Sequence, residues 1–139
     1  MTTKIGIVGM GLMGQAFILN LRKSQVAVQG FDIDGRRMDE LRQQGGEPVA
    51  SPAAAAKGVD VLITSLPTSD IGRQVMLAAN GVADGAEPGL IVCDTTTARP
   101  EDSEALAAAL KARGVRFLDS AVSGTSTMAR AGDLIVMAG

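Results

Sequence analysis

The sequence has no histidine, no tryptophan and no tyrosine, and it has one cysteine, Cys93, in 139 residues. Without histidine, the side chain that most often exchanges protons near neutral pH is missing from this chain. A single cysteine leaves no partner for an internal disulfide. Cys93 lies in the apolar run GLIVCD, so we expect a reduced thiol in the core and a reducing compartment.

A cluster of positive charge and a long apolar segment are also missing. The chain carries 13 Lys and Arg against 15 Asp and Glu, and its three Phe are not interleaved with basic residues, so no nucleic-acid partner is expected. No apolar run approaches the roughly 18 residues of a membrane span, and MTTKIGIV lacks the basic start and cleavage site of a signal peptide. We therefore expect a cytoplasmic protein with a small-molecule ligand and no membrane partner.

The sequence does contain short β-branched runs that alternate with segments of helical periodicity, as is typical of βαβ units. Strands are predicted over 4–8, 26–32, 48–50, 59–67, 89–94, 115–119 and 134–139, and helices over 12–23, 35–46, 51–58 and 100–114, with one more between 67 and 89. The run 59–67 has almost no polar interruption, which indicates a strand covered by helices on both faces. Residues 1–139 are thus predicted to form one α/β domain, a doubly wound, mostly parallel sheet that binds ligands beyond the carboxyl ends of its strands.

The most informative motif directly follows the first predicted strand and consists of Gly9, Met10, Gly11, Leu12, Met13 and Gly14. In this G-x-G-x-x-G spacing, Gly9 allows a tight turn, Gly11 lets the backbone approach a pyrophosphate, and Gly14 lets the helix pack closely on the strand. Amide groups at the start of the helix then favour bound phosphates. Alone, the motif is as typical of an ordinary glycine turn; in this strand–helix context it predicts a Rossmann-type fold with a dinucleotide at these six residues.

Asp32 ends the second predicted strand, eighteen residues after the last glycine of the motif. A carboxylate at this place accepts hydrogen bonds from the ribose hydroxyls of the adenosine and repels a 2′-phosphate, so NAD is favoured over NADP as the cofactor. Arg36 and Arg37 keep NADP open, because an arginine just past this strand is how such sites accept the phosphate. The simpler interpretation is a solvated helix turn in which both arginines pair with Asp39 and Glu40.

Five stretches, in order, resemble the β-hydroxyacid dehydrogenases, the family of 3-hydroxyisobutyrate dehydrogenase. IGIVGMGLMGQAFILNL is similar to the family's opening, VDVLITSLP to its fourth strand ending in Leu-Pro, and CDTTTARP to its D-x-S-T-x-x-P segment. GVRFLDSAVSGTSTMARAGDLIVMAG resembles its G-x-x-F-x-D-A-P-V-S-G-G substrate loop and the A-x-x-G-x-L-x-x-M-x-G that follows. The resemblance covers residues 4–139 and implies an oxidoreductase that moves hydride between NAD and a small 3-hydroxy acid, or its semialdehyde or keto form.

The resemblance also implies roles for particular residues. Leu66 and Pro67 are expected to border the adenosine side of the cofactor, and Thr96 to lie near the nicotinamide. Successive amides and one hydroxyl are expected to bind the carboxylate and hydroxyl of the substrate at Ser123, Gly124 and Thr125. Without the resemblance, Ser123 is more typical of a turn residue that caps its own backbone. No metal site is expected.

Three positions depart from the family pattern. Thr125 replaces the second glycine of the substrate loop and Ala121 replaces its usual proline, so the substrate pocket is expected to differ from that of 3-hydroxyisobutyrate enzymes. Gln25 stands where the family often has a glycine after the first helix. We interpret that change as structural only.

In the family, a lysine from a helix beyond the stretch matched here is the acid and base of the reaction. The four lysines of this chain lie in no similar stretch, and we interpret each as a surface charge: Lys4, Lys23, Lys57 and Lys111. We therefore expect no catalytic residue in residues 1–139, which are interpreted as the NAD-binding domain of a longer, homo-oligomeric enzyme with a further helical domain. Two alternatives stay open: a non-catalytic NAD(H)-sensing module, and a related NADP-linked reductase of aldehyde acids or imines.

Overall fold

In a computed structural model, residues 3–139 are described, and their strands form one sheet. The strands are β1 (Lys4–Val8), β2 (Ala27–Phe31), β3 (Glu47–Pro48), β4 (Val61–Thr64), β5 (Ile91–Asp94), β6 (Arg116–Ser123) and β7 (Ile135–Ala138). The helices are α1 (Leu12–Lys23), α2 (Gly35–Gln43), α3 (Pro52–Ala56), α4 (Ser69–Leu77), α5 (Val82–Gly85), α6 (Pro100–Lys111) and α7 (Ser126–Arg130). None of these helices combines the length and the apolar character that a membrane span requires.

The strand order is β3-β2-β1-β4-β5-β6-β7. Strands β1 to β6 run parallel, and β7 pairs antiparallel with β6. After β3 the chain returns to the far side of β1, so the strand order reverses between β1 and β4. Loops leaving the carboxyl ends of these two strands diverge and open a crevice, the place where doubly wound sheets bind their ligands. The predicted fold is confirmed.

Several element boundaries differ from the predicted ones. The fourth strand ends at Thr64 rather than at 67, and the strand predicted over 115–119 continues to Ser123 because β7 pairs with its second half. Helices α5 and α7 were not predicted, since four and five residues are too few to show a helical period.

Local sequence signals account for the ends of two helices. Ser51 Oγ accepts a backbone N–H at 3.0 Å, and Pro52 occupies the first helical position, which confirms the predicted start of α3. Helix α2 ends just before Gly45 and Gly46, because Gly45 has a φ of 84° and the amides of both glycines bond back to carbonyls of the last turn.

Helix α1 ends in the same motif with a side chain at the critical position. The Gln25 amide bonds to the Arg22 carbonyl at 3.0 Å and the Val26 amide to the Leu21 carbonyl at 3.0 Å, while Gln25 has a φ of 60°. A residue with a Cβ pays about 1 kcal/mol for this left-handed conformation, and glycine does not. This left-handed conformation explains why the resembled family often has a glycine at this position. Gln25 itself lies before the amino end of β2, away from the crevice.

The two faces of the sheet carry separate apolar clusters. One packs under α3 to α6 and includes Val8, Leu62, Val92, Leu106 and Leu110; the other packs under α1 and α2 and includes Ile7, Met10, Ile18, Val28 and Leu41. On α1, Phe17 and Leu21 are half-buried at the border of this second cluster, and Ile18 is buried within it.

The prediction that helices cover both faces of the fourth strand is wrong for β4 and the strands beside it. Right-handed crossovers place α4 to α6 on one face of β4 to β6, and the opposite face carries an apolar groove of about 340 Å³. Cys93 lines this groove and is half-buried, so it is not the enclosed core thiol that the sequence indicated. Burial raises the pKa of the Cys93 thiol, and a hydrogen bond with Ser120 offsets this in part.

Candidate dinucleotide-binding site

The turn between β1 and α1 is crowded on one side and open on the other. Gly9 has a φ of 91°, and a Cβ there would lie 2.1 Å from the Ser65 carbonyl oxygen. A Cβ on Gly14 would lie 2.2 Å from the Gly9 carbonyl oxygen, so α1 packs directly on the turn. A Cβ on Gly11, in contrast, would meet no atom within 4 Å. The fold requires glycine at the first and third positions, whereas at Gly11 it would accept a side chain.

The first turn of α1 is open to an anion. Gly11 is its N-cap, and among the described residues no side chain caps the helix or adds a negative charge to its first turn. The leading amides of this 12-residue helix therefore lack side-chain acceptors and carry the positive end of the helix dipole. Phosphate groups bind at helix N-termini of this kind.

Asp32, directly after β2, joins the glycine turn to the turn between β2 and α2. Its Oδ2 accepts the Met10 amide at 2.7 Å, and its Oδ1 accepts the Asp34 amide at 2.8 Å. Each carboxylate oxygen keeps a further lone pair, and the half-buried side chain lines the crevice. Asp32 thus fixes the glycine turn and can also accept two hydroxyl groups of a ligand.

A cleft of about 450 Å³ opens at the carboxyl ends of β1, β2 and β4. The predicted residues that line it are Gly9, Gly11, Leu12, Met13, Asp32, Leu66 and Pro67. Met10 and Gly14 do not line it: the Met10 side chain is fully buried and only its amide reaches Asp32, and Gly14 packs beneath the turn. The structure thus brings together most of the residues predicted for the cofactor.

An apolar wall of the same cleft was missed by sequence reasoning. It consists of Phe31, Ile33, Ile71 and Val75. Ile33 is 94% exposed directly after Asp32, and Ile71 and Val75 stand four residues apart on α4. Their helical spacing was visible in the sequence, but such spacing normally indicates a core face. Apolar walls with a few polar groups are typical of sites for small cofactors.

Thr96 lies behind the cleft wall rather than on it. It is 4% exposed, and its Oγ1 accepts the Leu66 amide at 3.1 Å. The hydroxyl therefore holds the Leu66–Pro67 loop, and its own proton remains available to donate.

The three residues predicted for the substrate lie outside this cleft, at the start of the β6–β7 connection. Ser123 is the last residue of β6 and is exposed; Gly124 has a φ of 140°, and a Cβ there would lie 2.7 Å from Leu134 Cδ2. Thr125 Oγ1 accepts the Met128 amide at 3.2 Å and so caps α7. The substrate loop expected from the sequence is thus short, because a strand ends at Ser123 and a capped helix begins at Ser126.

The two arginines after β2 are engaged with carboxylates. Arg37 pairs with Glu40 at 3.3 Å, as predicted, whereas Arg36 pairs with Asp34 at 3.5 Å and not with Asp39. The Arg36 amide donates a hydrogen bond to Asp34, and this bond lowers the pKa of that carboxyl below its usual value.

The four lysines of the chain lie away from the cleft. Lys4 pairs with Glu47 at 3.7 Å, and Lys23, Lys57 and Lys111 are exposed. Among the described residues that line the cleft, Asp32 is the one with a charged side chain, and the amides of the glycine turn are uncharged hydrogen-bond donors.

The parallel sheet, its reversal between β1 and β4, and the glycine turn over the crevice define a Rossmann-type dinucleotide-binding domain. The family described as the NAD binding domain of 6-phosphogluconate dehydrogenase matches residues 4–139. The chain belongs to this family, and its relatives are hydroxyacid dehydrogenases and related oxidoreductases.

Two curated relatives show the degree of similarity. The 3-sulfolactaldehyde reductase of Escherichia coli (strain K12) is 34% identical over 97% of this chain and 45% of its own length. The mitochondrial 3-hydroxyisobutyrate dehydrogenase of Homo sapiens is 34% identical over 99% of this chain and 41% of its own length. The chain therefore spans less than half the length of these relatives.

Solved structures agree with this assignment. A Mycobacterium tuberculosis 3-hydroxyisobutyrate dehydrogenase solved with L-serine has a TM-score of 0.92 and 29% identity, and the match covers 100% of this chain and 47% of that one. A protein solved in complex with NADP+ and 2-OPP has a TM-score of 0.90 and 30% identity, over 96% of this chain and 48% of that one.

Proposed function

We propose that this chain is the cofactor-binding domain of a dehydrogenase that transfers hydride between a nicotinamide dinucleotide and a small 3-hydroxy acid or its aldehyde form. The observation that carries the proposal is the glycine turn with Asp32 over the crevice: Gly9 and Gly14 are required by packing, but the space beside Gly11 is required by nothing in the described protein. A pyrophosphate on the first amides of α1 accounts for that space.

Each wall of the cleft matches one part of a dinucleotide. The amides of the first turn of α1 bind the pyrophosphate, and the carboxylate of Asp32 accepts the ribose hydroxyls of the adenosine. Ile33 and Ile71 form an apolar surface for the purine ring, and Leu66 with Pro67 closes the side towards β4. When bound, the nicotinamide ring supplies the hydride acceptor or donor.

NAD is the proposed cofactor. Two backbone amides compensate only part of the Asp32 charge, so the carboxylate repels a 2′-phosphate. Arg36 and Arg37, the side chains that could accept such a phosphate, are paired with Asp34 and Glu40. The similar protein solved with NADP+ makes the direct comparison of both cofactors necessary.

The substrate and its chemistry are proposed for the longer protein. Ser123 and the amides after it contribute one wall of the substrate site, and Asn20 Nδ2, which donates to the Ala129 carbonyl at 2.6 Å, holds this segment on α1. The chain covers 45% and 41% of the lengths of the two curated relatives, which supports a further domain in the longer protein, and we propose that this domain is helical and carries the lysine that exchanges the substrate proton. A small 3-hydroxy acid fits the names of the relatives.

Titration calorimetry with the 139-residue chain tests the proposal. We expect NAD to bind more tightly than NADP, and Gly11→Val to abolish binding while the chain stays folded, because the added side chain fills the cleft and touches no protein atom at its Cβ. Since Gly11 is the N-cap of α1, valine there should lower the free energy of unfolding by about 1 kcal/mol. Gly35→Val is the matched control, since a Cβ at Gly35 also meets nothing within 4 Å and this residue does not line the cleft. No heat at millimolar NAD would contradict the proposal.

A further inference from the structure

A buried carboxylate lies at the end of β5, behind the wall of the cleft. Asp94 ends β5 and is 5% exposed, and no lysine or arginine among residues 3–139 lies within salt-bridge distance of it. Burial of an unpaired carboxylate is costly, and an apolar residue of similar volume would be cheaper for the fold. The preceding inward-facing residue of the same strand, Val92, is such a residue.

The hydrogen bonds of Asp94 lead towards the cleft. Its Oδ1 accepts the Thr64 hydroxyl at 2.9 Å and the Thr96 amide at 3.0 Å. Thr96 Oγ1 in turn accepts the Leu66 amide at 3.1 Å. The loop after β4 is therefore tied to the loop after β5 through one buried side chain.

This loop sets the wall against which the glycine turn packs. The Ser65 carbonyl oxygen would lie 2.1 Å from a Cβ on Gly9, so the two backbones are in direct contact. Ser65, Leu66 and Pro67 all line the cleft. A shift of the Leu66 amide away from Thr96 would widen the cleft at the turn that holds the pyrophosphate.

We infer that Asp94 is a positioning residue of the dinucleotide site: through Thr96 it holds the Leu66 amide and thereby sets the cleft wall opposite the glycine turn. The inference rests on the proposed function. Both accepted bonds end on the same oxygen, so an asparagine at 94 can keep them, whereas a valine cannot.

The test compares Asp94→Asn, Asp94→Val and Thr96→Val in the 139-residue chain. NAD affinity is measured by calorimetry, and exchange of the Leu66 amide without ligand is measured by hydrogen-exchange NMR. We expect Asp94→Val and Thr96→Val each to weaken NAD about tenfold and to speed Leu66 exchange, with Asp94→Asn within about twofold of the unmodified chain on both readouts. The double variant with valine at both positions should be no weaker than either single variant, because both act through one bond.

Asp60→Val is the charge-matched control, since Asp60 is exposed at the opposite end of β4 and its carboxylate accepts the Lys4 amide. Equal losses of NAD affinity from Asp94→Asn and Asp94→Val, or unchanged affinity with Leu66 still protected in Asp94→Val, overturn the inference. If Asp94→Val does not fold, Thr96→Val against Asp94→Asn decides on the same readouts. Absence of NAD binding by the unmodified chain contradicts the proposed function. Hydrogen exchange of the Leu66 amide then still tests whether Asp94 holds this amide through Thr96.

Discussion

The substitution Asp32→Asn removes one oxygen from a side chain that accepts two backbone amides, Met10 at 2.7 Å and Asp34 at 2.8 Å. Whichever way the new amide group is turned, one of these N–H groups faces an NH₂ group that cannot accept it. Loss of one charge-assisted hydrogen bond at a half-buried position lowers the free energy of unfolding by about 2 kcal/mol. We expect this loss in urea unfolding of the isolated chain.

The same substitution acts separately on ligand affinity. A ribose hydroxyl loses an anionic acceptor, which costs about 1–3 kcal/mol, so the Kd for NAD is expected to rise about 5- to 150-fold. The Kd for NADP should change less, because the repulsion between a carboxylate and a 2′-phosphate is removed as well. Calorimetry with both cofactors, under conditions where the variant is folded, gives the two constants.

Asp34→Asn is the control, because it removes the same charge two residues further along. Asp34 accepts the Arg36 amide at 2.9 Å as the N-cap of α2, and asparagine caps helices equally well. NAD affinity should stay that of the unmodified chain. If Asp32→Asn binds NAD as tightly as Asp34→Asn does, the reasoning from the carboxylate to the ribose is refuted; a preference of the unmodified chain for NADP refutes the assignment of the arginines.

Further predictions concern stability, reactivity, association and turnover. Gln25→Gly should stabilise the chain by about 1 kcal/mol and raise its Tm by about 4 °C, because it relieves the left-handed side chain at a φ of 60°; an unchanged Tm contradicts this. Because burial raises the pKa of Cys93, alkylation of its thiol should be slower than in the urea-unfolded chain and should accelerate at higher pH. The neutral thiol contributes stability that is fully present below the pKa of the unfolded state and is lost as the pH rises through the pKa of the folded state. The apolar groove predicts concentration-dependent self-association in sedimentation, which Val136→Lys should reduce, since Val136 lines the groove and is 56% exposed. The 139-residue chain should oxidise a panel of 3-hydroxy acids at least about 10²-fold more slowly than the longer protein. Equal rates would contradict the interpretation of its four lysines as surface charges.

The fold could be predicted because its signals are local. Gly9 and Gly14 have their spacing from the contact of one turn with one helix, and Ser51 with Pro52 marks a helix start through bonds that span only three residues. Apolar runs of four to six residues mark the parallel strands, because helices bury at least one face of each. These features require no knowledge of how distant segments meet.

Features that depend on distant segments were not predictable in the same way. In the sequence, Asp94 was only the end of a predicted strand. The positioning role inferred for it depends on its bond to Thr64 and, through Thr96, on the Leu66 amide, and both partners are about thirty residues away along the chain. Cys93 appeared enclosed because its neighbours are apolar, but an apolar run does not say on which face of the sheet helices lie. Handedness of the crossovers decides that, and it leaves one face of β4 to β7 open.

Helix α1 connects the cleft proposed for the dinucleotide with the segment proposed for the substrate. Its first amides open into the cleft, and Asn20, near its other end, donates to the Ala129 carbonyl of α7 at 2.6 Å. Helix α7 follows directly from Thr125, which caps it, so this bond joins α1 to the segment that begins at the end of β6. Close packing of Gly14 on Gly9 fixes the tilt of α1 at its other end. Under the proposed function, we therefore expect Gly14 to affect the segment proposed for the substrate as well as the dinucleotide cleft, although it does not line the cleft.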